Sequence, residues 1–378
     1  MRVFWVTGES SGDRHAAHLI RELKQLQPSW THGGMGGEAM RHEGVELTAD
    51  LKEAAVMGLT EVIRHLPRLF RLRNRLIDAI VQSGTQLVVL VDFPDFNMSV
   101  ARSLRVRLGR QIPILYYVSP QVWAWRRGRI KTIARLVDAM AVLFPFEVDV
   151  YRPQGLETVF YGHPLVGEVV PSASESELRA QFGLTGDEQA VALLPGSRTQ
   201  EIGRHLPVQL AAVQKLRARL TEPVKVLLAR ANTVDHSMLA QMAAGTPDVE
   251  IVDNARDALS VARVGLVKSG TSTVEALLIG TPYTVMYIVS PLTYQIAKLL
   301  IRGVKHIAMV NVLAGREIVP ERVQDAATPE RLASDLEQLW DGEGREQQQK
   351  RLAEVAASLG EPGATKRLAA WISERFNK

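Results

Sequence analysis

The stretch RVFWVTGESSGDRHAAHLIRELKQL, residues 2–26, decides the fold class. Residues 2–7 are apolar and rich in the β-branched and aromatic types that favour strands. The glycine turn GESSGD at 8–13 follows at once, and apolar residues then recur at helical spacing up to Leu26. A strand, a tight turn and a helix in this order are typical of a parallel α/β sheet, which binds ligands at the carboxyl ends of its strands.

The same order recurs along the whole chain, with helical patterns such as 19–26 and 208–220 between the apolar runs. It therefore predicts doubly wound parallel sheets in both halves. The further predicted strands are LVVLVD at 87–92, ILYYV at 114–118, AMAVLF at 139–144, AVALLP at 190–195, VKVLLA at 224–229, VGLVK at 264–268 and YTVMYIV at 283–289.

The chain length predicts two domains, because 378 residues exceed the roughly 250 to 300 at which a single hydrophobic core stops growing. The polar, proline-containing segment at 169–184 reads as the entry to the second domain. We therefore expect an N-terminal domain at 1–165 and a C-terminal domain at 166–345. The polar residues 346–378 should form helices that pack back on the N-terminal domain or on a partner subunit.

Composition narrows the class of protein. The chain has no cysteine, which excludes disulfides, thiolate metal sites and a cysteine nucleophile, and we expect no metal and no cofactor. No apolar run approaches the roughly 20 residues that span a bilayer, and no secretory signal opens the sequence, so we expect a cytoplasmic location. A net charge of +4 is compatible with nucleic acid, anionic lipid or a phosphorylated substrate.

Two glycine-rich segments lie in the first half. In GESSGD, Ser10, Ser11 and the first helical amides present donors for an anion or a sugar hydroxyl, although a plain strand-to-helix connection explains the pattern equally well. The second segment, GGMGGEAM at 33–40, predicts another backbone-rich turn. It does not match the dinucleotide-binding spacing.

The segment VDFPDFN at 91–97 places two carboxylates after a predicted strand. A carboxylate there can take the proton of an attacking hydroxyl. We assign the base to Asp95 and a supporting role to Asp92, while the capping of the next helix is the alternative for at least one of them.

The segment YYVSPQVWAWRRGR at 116–129 carries two tryptophans and three arginines. Trp123 and Trp125 either line a sugar or acyl site or pack beneath a loop, and packing is the commoner role for a single Trp, whereas the arginines are candidates to contact phosphate. His163, in GHPL at 162–165, lies beside a proline at the domain boundary. We do not assign it as the base.

Three segments of the second half suit a nucleoside diphosphate. LLPGSR at 193–198 ends a strand with Arg198, whose guanidinium matches phosphate oxygens. KSGTSTVEA at 268–276 offers amides and hydroxyls for phosphate and a carboxylate for ribose. NVLAGREIVPERVQ at 311–324 is a polar cluster expected on a loop and a short helix, where solvated charge is the usual explanation.

Taken together, these segments resemble the lipid-A-disaccharide synthase family, glycosyltransferase family 19 of the GT-B superfamily. The resemblance runs nearly end to end, and the order of the strings carries it more than any one of them. Two positions depart from the family pattern, Phe93 before Pro94 and Met309-Val310 before Asn311. The strings are GESSGD, VMG at 56–58, DFPDFN, YYVSPQVWAW, LFPFE at 143–147, GHPL, LLPGSR, SGTSTVEA and NVLAGRE with VPERVQ.

The resemblance implies two Rossmann-like domains facing a central cleft and an inverting transfer of 2,3-diacylglucosamine from UDP to 2,3-diacylglucosamine 1-phosphate. It implies that Asp95 is the base, that Asp92 and Glu9 shape the acceptor side and that Ser10 and Ser11 line the cleft. The residues it implies for UDP are Arg198, Ser269, Gly270, Thr271, Glu275, Asn311, Glu321 and Gln324.

A lipid donor and acceptor also imply contact with the inner face of the cytoplasmic membrane. Residues 62–80 carry Leu66, Leu69, Phe70, Leu76, Ile77 and Ile80 on one helical face and Arg64, Arg68, Arg71 and Arg75 on another. By pattern alone, a core helix with a solvated basic face fits equally well.

Three rival functions stay open at this point. The first two are other GT-B UDP-sugar enzymes, a murein-type transferase or a 2-epimerase; the third is a non-catalytic peripheral membrane protein. No nucleic-acid-binding module is apparent. A homodimer is compatible with the sequence.

Overall fold

The computed structural model describes residues 1–53, 62–125, 127–300 and 305–377. The side chains of 62–66, of Trp125 and of 296, 297, 299 and 300 lie outside the described part, as does the VMG string at 56–58. The chain divides into two compact units, Met1–Val166 with Gly360–Lys378, and Gly167–Leu359.

The first unit is built on a parallel sheet in which seven strands are described. Their order across the sheet is β3-β2-β1-β4-β5-β6-β7, so the direction of winding reverses between β1 and β4. The strands are β1 Arg2–Thr7, β2 Thr31–Gly36, β3 Glu46–Asp50, β4 Leu87–Val91, β5 Ile114–Tyr117, β6 Ala139–Ala141 and β7 Glu157–Val159.

Helices cover both faces of this sheet because the strand side chains alternate between two buried clusters. Phe4 and Leu90 belong to one cluster, and Trp5 and Val89 belong to the other. The helices of the first unit are α1 Ser10–Leu26, α2 Glu38–His42, α3 Val62–Gln82, α4 Pro94–Leu108, α5 Val122–Trp125, α6 Arg129–Leu136 and α7 Phe146–Tyr151, together with α17 Ala364–Phe376 near the chain end.

The second unit repeats the plan with six described strands in the order β10-β9-β8-β11-β12-β13, all parallel. Here the winding reverses between β8 and β11. The strands are β8 Gln189–Leu194, β9 Val224–Ala229, β10 Val249–Val252, β11 Val264–Lys268, β12 Tyr283–Tyr287 and β13 Glu321–Val323. The helices are α8 Glu175–Gln181, α9 Thr199–Arg217, α10 His236–Ala243, α11 Ala255–Val261, α12 Ser272–Ile279, α13 Pro291–Leu300, α14 Met309–Ala314, α15 Pro329–Gln338 and α16 Gly342–Ser358.

Two local predictions were wrong. The glycines at 33–36 belong to the buried strand β2 and not to a turn, because a Cβ on Gly34 would lie 2.1 Å from the Trp5 carbonyl oxygen. The segment at 311–324 contains the strand β13 and a short 3-10 turn, Gln324–Ala326, besides the expected helix.

The polar residues after 345 are shared between the units. Helix α16 belongs to the second unit, where it packs against α12 and α14. Helix α17 belongs to the first unit and packs against α1, with Gln27 Nε2 donating to Ser373 Oγ at 2.7 Å. The guanidinium of Arg367 also donates to the Tyr161 carbonyl, which fixes α17 beside the end of β7.

Candidate active site

In each sheet the winding order reverses between two adjacent strands, and parallel sheets generally bind ligands outside the carboxyl ends of such strands. In the first unit the last paired residues of β1 and β4 are Thr7 and Val91. The GESSGD and DFPDFN segments follow them directly. In the second unit the last paired residues of β8 and β11 are Leu194 and Val267, so PGSR and KSGT leave the sheet side by side. Four of the predicted motifs thus lie at the two switch points, two at each.

The turn after β4 has an unusual backbone. Asp92 and Phe93 both have φ of 48°, and Val118, at the end of the neighbouring β5, has φ of 65°. A left-handed backbone is costly for a residue with a side chain, and bulky or β-branched residues rarely adopt it. Three such residues at adjacent strand ends show that the backbone at this edge is held in an unfavourable conformation, which is typical of functional sites.

Asn97 and Tyr116 hold this turn in place. The Asn97 amide donates to the carbonyls of Val6, Val91 and Asp92, the last at 2.7 Å. The buried Tyr116 hydroxyl donates to the same Asp92 carbonyl at 2.6 Å. The asparagine of DFPDFN therefore ties β1 and β4 together beneath the carboxylates.

The two carboxylates of DFPDFN have different surroundings. Burial, followed by the charge of Glu9, raises the pKa of Asp92 from 3.8 to about 6. Asp95 lies in the first turn of α4, 67% exposed, and is paired with Arg129. Neither carboxylate caps α4, since Phe93 occupies the N-cap and no side chain accepts a capping hydrogen bond. Asp92 is thus a half-buried carboxyl group with a raised pKa, and Asp95 is accessible and oriented by an arginine.

The GESSGD turn places Glu9 and Ser10 in solvent and Ser11 partly so. Gly8 and Gly12 are required by close packing, because a Cβ on Gly8 would lie 2.2 Å from the Phe93 ring and one on Gly12 would lie 2.5 Å from the Thr7 hydroxyl. The remaining acid of the motif has a structural role. The Asp13 carboxylate accepts from the amides of Gly37 and Ala39 and so anchors the start of α2.

A buried glutamate links two further family strings. Glu147, in LFPFE, accepts from Trp123 Nε1 at 3.3 Å and from the Phe144 amide at 3.2 Å. Burial raises the pKa of Glu147 to about 7. Trp123 also packs edge-to-face on Phe146, with ring centroids 5.0 Å apart, so its role here is packing. His163 is buried, which lowers its pKa to about 3, and its Nδ1 accepts from the Leu165 amide.

In the second unit, the loop after β11 exposes Gly270 and Thr271 ahead of α12. Ser269 Oγ donates to the Ile307 carbonyl at 3.0 Å, which ties this loop to the following segment. Glu275 lies in the first turn of α12 and pairs with Arg256 at 3.3 Å. Arg198 is 74% exposed and lies 3.8 Å from Glu201.

The side chains of the other three residues expected to bind UDP, Asn311, Glu321 and Gln324, form hydrogen bonds with backbone groups of their own unit. Buried Asn311 exchanges hydrogen bonds with Val319 and also contacts the Glu321 carboxylate at 2.7 Å. Glu321 in turn accepts from the amides of Ile307 and Ala308, and the Gln324 amide group bonds to both backbone groups of Val289. These side chains therefore hold the segment between β12 and β13 in shape.

Sequence reasoning missed several residues that organise these edges. Asn97 carried a signal, because it stands in the same short string as the two carboxylates, and Lys268 stands in the KSGT string. Tyr116, Arg129 and Glu147 also stand in segments quoted above, but nothing in those segments indicated their partners, because Tyr116 and Arg129 meet residues that are distant in sequence.

The described part of helix α3 buries several apolar side chains in the core, while the side chains of Arg64 and Leu66 lie outside the described residues. Leu76, Ile77 and Ile80 are buried, while Phe70 is 51% exposed. The Arg73 guanidinium lies over the Phe70 ring, 5.0 Å from its centroid, and Arg68, Arg71 and Arg75 are exposed. The expected stripe is therefore chiefly a core face with one exposed aromatic beside arginines. Among the described residues, no helix is both long and apolar enough to cross a membrane.

The chain is similar to known proteins in sequence over almost its whole length, and to others in fold. Residues 3–373 match the family model described as lipid-A-disaccharide synthetase. The chain is 42% identical to the lipid-A-disaccharide synthase of Geobacter sulfurreducens, over 100% of this chain and 98% of the relative, and 39% identical to that of Myxococcus xanthus, over 99% and 97%. It is similar in fold to a UDP-GlcNAc 2-epimerase from Neisseria meningitidis bound to UDP-GlcNAc, with a TM-score of 0.68 at 12% identity over 99% of this chain and 100% of that one.

Proposed function

The chain belongs to the lipid-A-disaccharide synthase family and is a glycosyltransferase that forms the lipid A disaccharide, and we propose that it moves 2,3-diacylglucosamine from UDP to the 6-hydroxyl of 2,3-diacylglucosamine 1-phosphate. The observation that carries the proposal is the contrast between the two switch points. One offers carboxylates to an attacking hydroxyl, and the other offers cations, hydroxyls and a helix start to a diphosphate.

In this proposal Asp95 takes the proton of the acceptor hydroxyl while the oxygen forms a bond to C1 of the donor sugar. The bond between C1 and the β-phosphate oxygen breaks on the opposite side, and UDP leaves with the electron pair, so the configuration at C1 inverts. The exposure of Asp95 and its ion pair with Arg129 support this role, since a base must reach its proton in a fixed geometry.

Asp92 and Glu9 shape the acceptor side in the same proposal, with Ser10 and Ser11 beside them. Above pH 6 Asp92 is mostly ionised, so its carboxylate adds negative charge close to the reacting hydroxyl. The raised pKa also makes Asp92 the alternative base. Variants of the two carboxylates separate these roles.

On the donor side, Arg198 and the loop of Ser269, Gly270 and Thr271 contact the diphosphate, and Glu275 accepts from the ribose hydroxyls. The ion pair with Arg256 supports the role of Glu275, because it orients the carboxylate at the start of α12. The remaining three residues, Asn311, Glu321 and Gln324, support the donor site by shaping the adjoining segment.

The test is UDP release by purified protein given UDP-2,3-diacylglucosamine, with and without diacylglucosamine 1-phosphate. Release that depends on the acceptor, with a disaccharide product, is the expected result. A parallel reaction with UDP-N-acetylglucosamine reveals any epimerisation. Folded protein that releases no UDP from the acylated donor, or that epimerises the simple sugar nucleotide instead, would overturn the substrate assignment.

We also propose that the exposed side of α3 rests on the inner face of the cytoplasmic membrane, where both lipids reside. Phe70 offers an apolar contact, and the arginines beside it attract anionic headgroups. Co-sedimentation with vesicles containing phosphatidylglycerol should fall with added salt and in a Phe70→Ser variant. Val170→Ser, which removes a similarly exposed apolar side chain from the second unit, is the matched control and should change nothing. Equal sedimentation of Phe70→Ser and wild type would overturn this contact.

A further inference from the structure

Lys268 is a cation at the second switch point to which the mechanism above gives no task. It is the last residue of β11 and directly precedes the Ser269-Gly270-Thr271 loop. Its side chain is only 18% exposed, and its Nζ lies 3.1 Å from Glu201 Oε1. The ammonium group therefore sits at the carboxyl end of the sheet, largely withdrawn from water.

The surroundings of Lys268 direct its charge toward the loop. A Cβ on Gly270 would lie 3.5 Å from Nζ, so the ammonium lies against the part of the loop where a side chain would contact it. The ring of Tyr287 lies on another side, with its centroid 5.6 Å from Nζ. His205 stacks on that ring. Burial and the charge of Lys268 lower the pKa of His205, so this side of the ammonium is lined by uncharged aromatic rings. Charge that is largely withdrawn from water acts more strongly than charge in solvent.

Only one of the two carboxylate oxygens of Glu201, the partner of Lys268, makes a hydrogen bond among the described residues. Glu201 Oε1 bonds to the ammonium, whereas the buried Oε2 has no hydrogen-bond partner among the described residues. A Cβ on Gly196 would lie 2.8 Å from Oε2, so the glycine of PGSR makes room for this carboxylate. Withdrawing an ion pair from water is costly, and an apolar pair is often as stable. The pair is thus poorly explained by stability alone.

Arg198 is another cation at this edge, and it differs from Lys268 in exposure. Its side chain is 74% exposed, against 18% for Lys268. Water and salt screen an exposed guanidinium far more than a withdrawn ammonium. Of the two, Lys268 is better placed to stabilise charge that develops during a reaction.

We propose that the Lys268 ammonium contacts the β-phosphate of the donor and stabilises the charge that UDP gains as its bond to C1 breaks, with Glu201 holding the ammonium in position. The inference rests on the proposed function and adds a catalytic residue to it. No proton is transferred to or from Lys268 in this step; the electron pair of the broken bond goes to the phosphate oxygen, and the acceptor proton goes to the base.

The test compares Lys268→Met with Lys225→Met. Lys225 is the matched control, because it is 19% exposed and paired with Glu250, yet it lies near the amino end of β9. Calorimetry with UDP and UMP separates the β-phosphate from the rest of the nucleotide. We expect Lys268→Met to weaken UDP binding roughly tenfold to a hundredfold and to leave UMP binding unchanged. The same variant should lower kcat about a hundredfold, and Lys268→Arg should recover part of both losses.

Each other outcome has a definite meaning. Equal loss of UDP and UMP binding in Lys268→Met, or equal effects of the two methionine variants, would show a structural role and overturn the inference. Unchanged UDP affinity and kcat in Lys268→Met would overturn it while leaving the proposed function intact. A wild-type protein that binds neither nucleotide would overturn both.

Discussion

The carboxyl ends of the two sheets share a topology and differ in chemistry. Both sheets reverse their winding at one pair of central strands, β1 and β4 in the first unit and β8 and β11 in the second. The first switch point carries Glu9, Asp92 and Asp95. The second carries Arg198 and Lys268, with the glutamate partner of the lysine. One scaffold thus supports an edge suited to activating a hydroxyl and an edge suited to receiving a diphosphate.

The backbone conformations at these two edges also differ. At the first edge, residues with side chains adopt positive φ, at 48° for Asp92 and 65° for Val118. At the second switch point glycines do so, with φ of 123° for Gly196 and 155° for Gly270, although Gln324, which follows β13 farther along the same edge, also has φ of 53°. Glycine allows backbone and neighbouring cations to approach a ligand closely, whereas a strained aspartate fixes the direction of a side chain. The comparison teaches that the first edge positions side chains and the second opens space.

The largest effect should come from Asp95→Asn, which removes the proposed base. We expect kcat to fall by about 10²- to 10⁴-fold, the usual contribution of a general base. Asp78→Asn is the matched control, since Asp78 is also an exposed carboxylate of the first unit paired with an arginine, Arg107. Steady-state kinetics of UDP release check both variants. Activity in Asp95→Asn equal to that of the control would move the base elsewhere.

A smaller effect should separate Asp92 from Asp95. Because the pKa of Asp92 is raised to about 6, wild-type kcat/KM should fall as the pH drops through 6 and this carboxylate becomes protonated. In Asp92→Asn we expect a rate about tenfold below wild type at pH 8, since one supporting charge is lost, and a profile without the acid limb near 6. A limb that persists near pH 6 in the variant would assign it to another group.

The smallest effect should be a gain in stability. The folded-state pKa of Asp92 lies above its unfolded value of 3.8, so the stability that this group contributes is present below pH 3.8 and is lost as the pH rises through about 6. Ionised Asp92 thus costs the folded protein about 1 to 2 kcal/mol at pH 8, after allowance for its partial exposure. Thermal unfolding should show Asp92→Asn more stable than wild type at pH 8 and equal to it at pH 3, below both pKa values. A variant that is less stable at pH 8 would contradict this cost.

The sequence predicted the fold class well because hydrophobic period and glycine turns are local signals. The central strands β4, β9 and β11 begin and end within a residue of the predicted runs. The strand β2 escaped prediction because its glycines resemble a turn, and only the close approach of the Trp5 backbone explains them. The short strands β7 and β13, three residues each, contain too few residues to show a period.

The candidate site was predictable in position and only partly in role. GESSGD, DFPDFN and KSGT all lie at switch points, as the rule for parallel sheets requires. The pairing of Asp95 with Arg129 depends on packing between helices and has no local signal. Asn311 and Gln324 show a different kind of error. They are polar residues in a family string and were expected to bind the nucleotide, but their side chains form hydrogen bonds with the backbone of Val319 and Val289.

The division of labour between the two edges is tested most directly by calorimetric titration of UDP into Asp95→Asn and Glu275→Gln. If the first edge serves the acceptor and the second serves the nucleotide, Asp95→Asn should bind UDP with wild-type affinity despite its lost turnover. Glu275→Gln should bind UDP about tenfold more weakly, as expected for the loss of one charged hydrogen-bond acceptor. Weakened UDP binding in Asp95→Asn together with wild-type binding in Glu275→Gln would contradict the account.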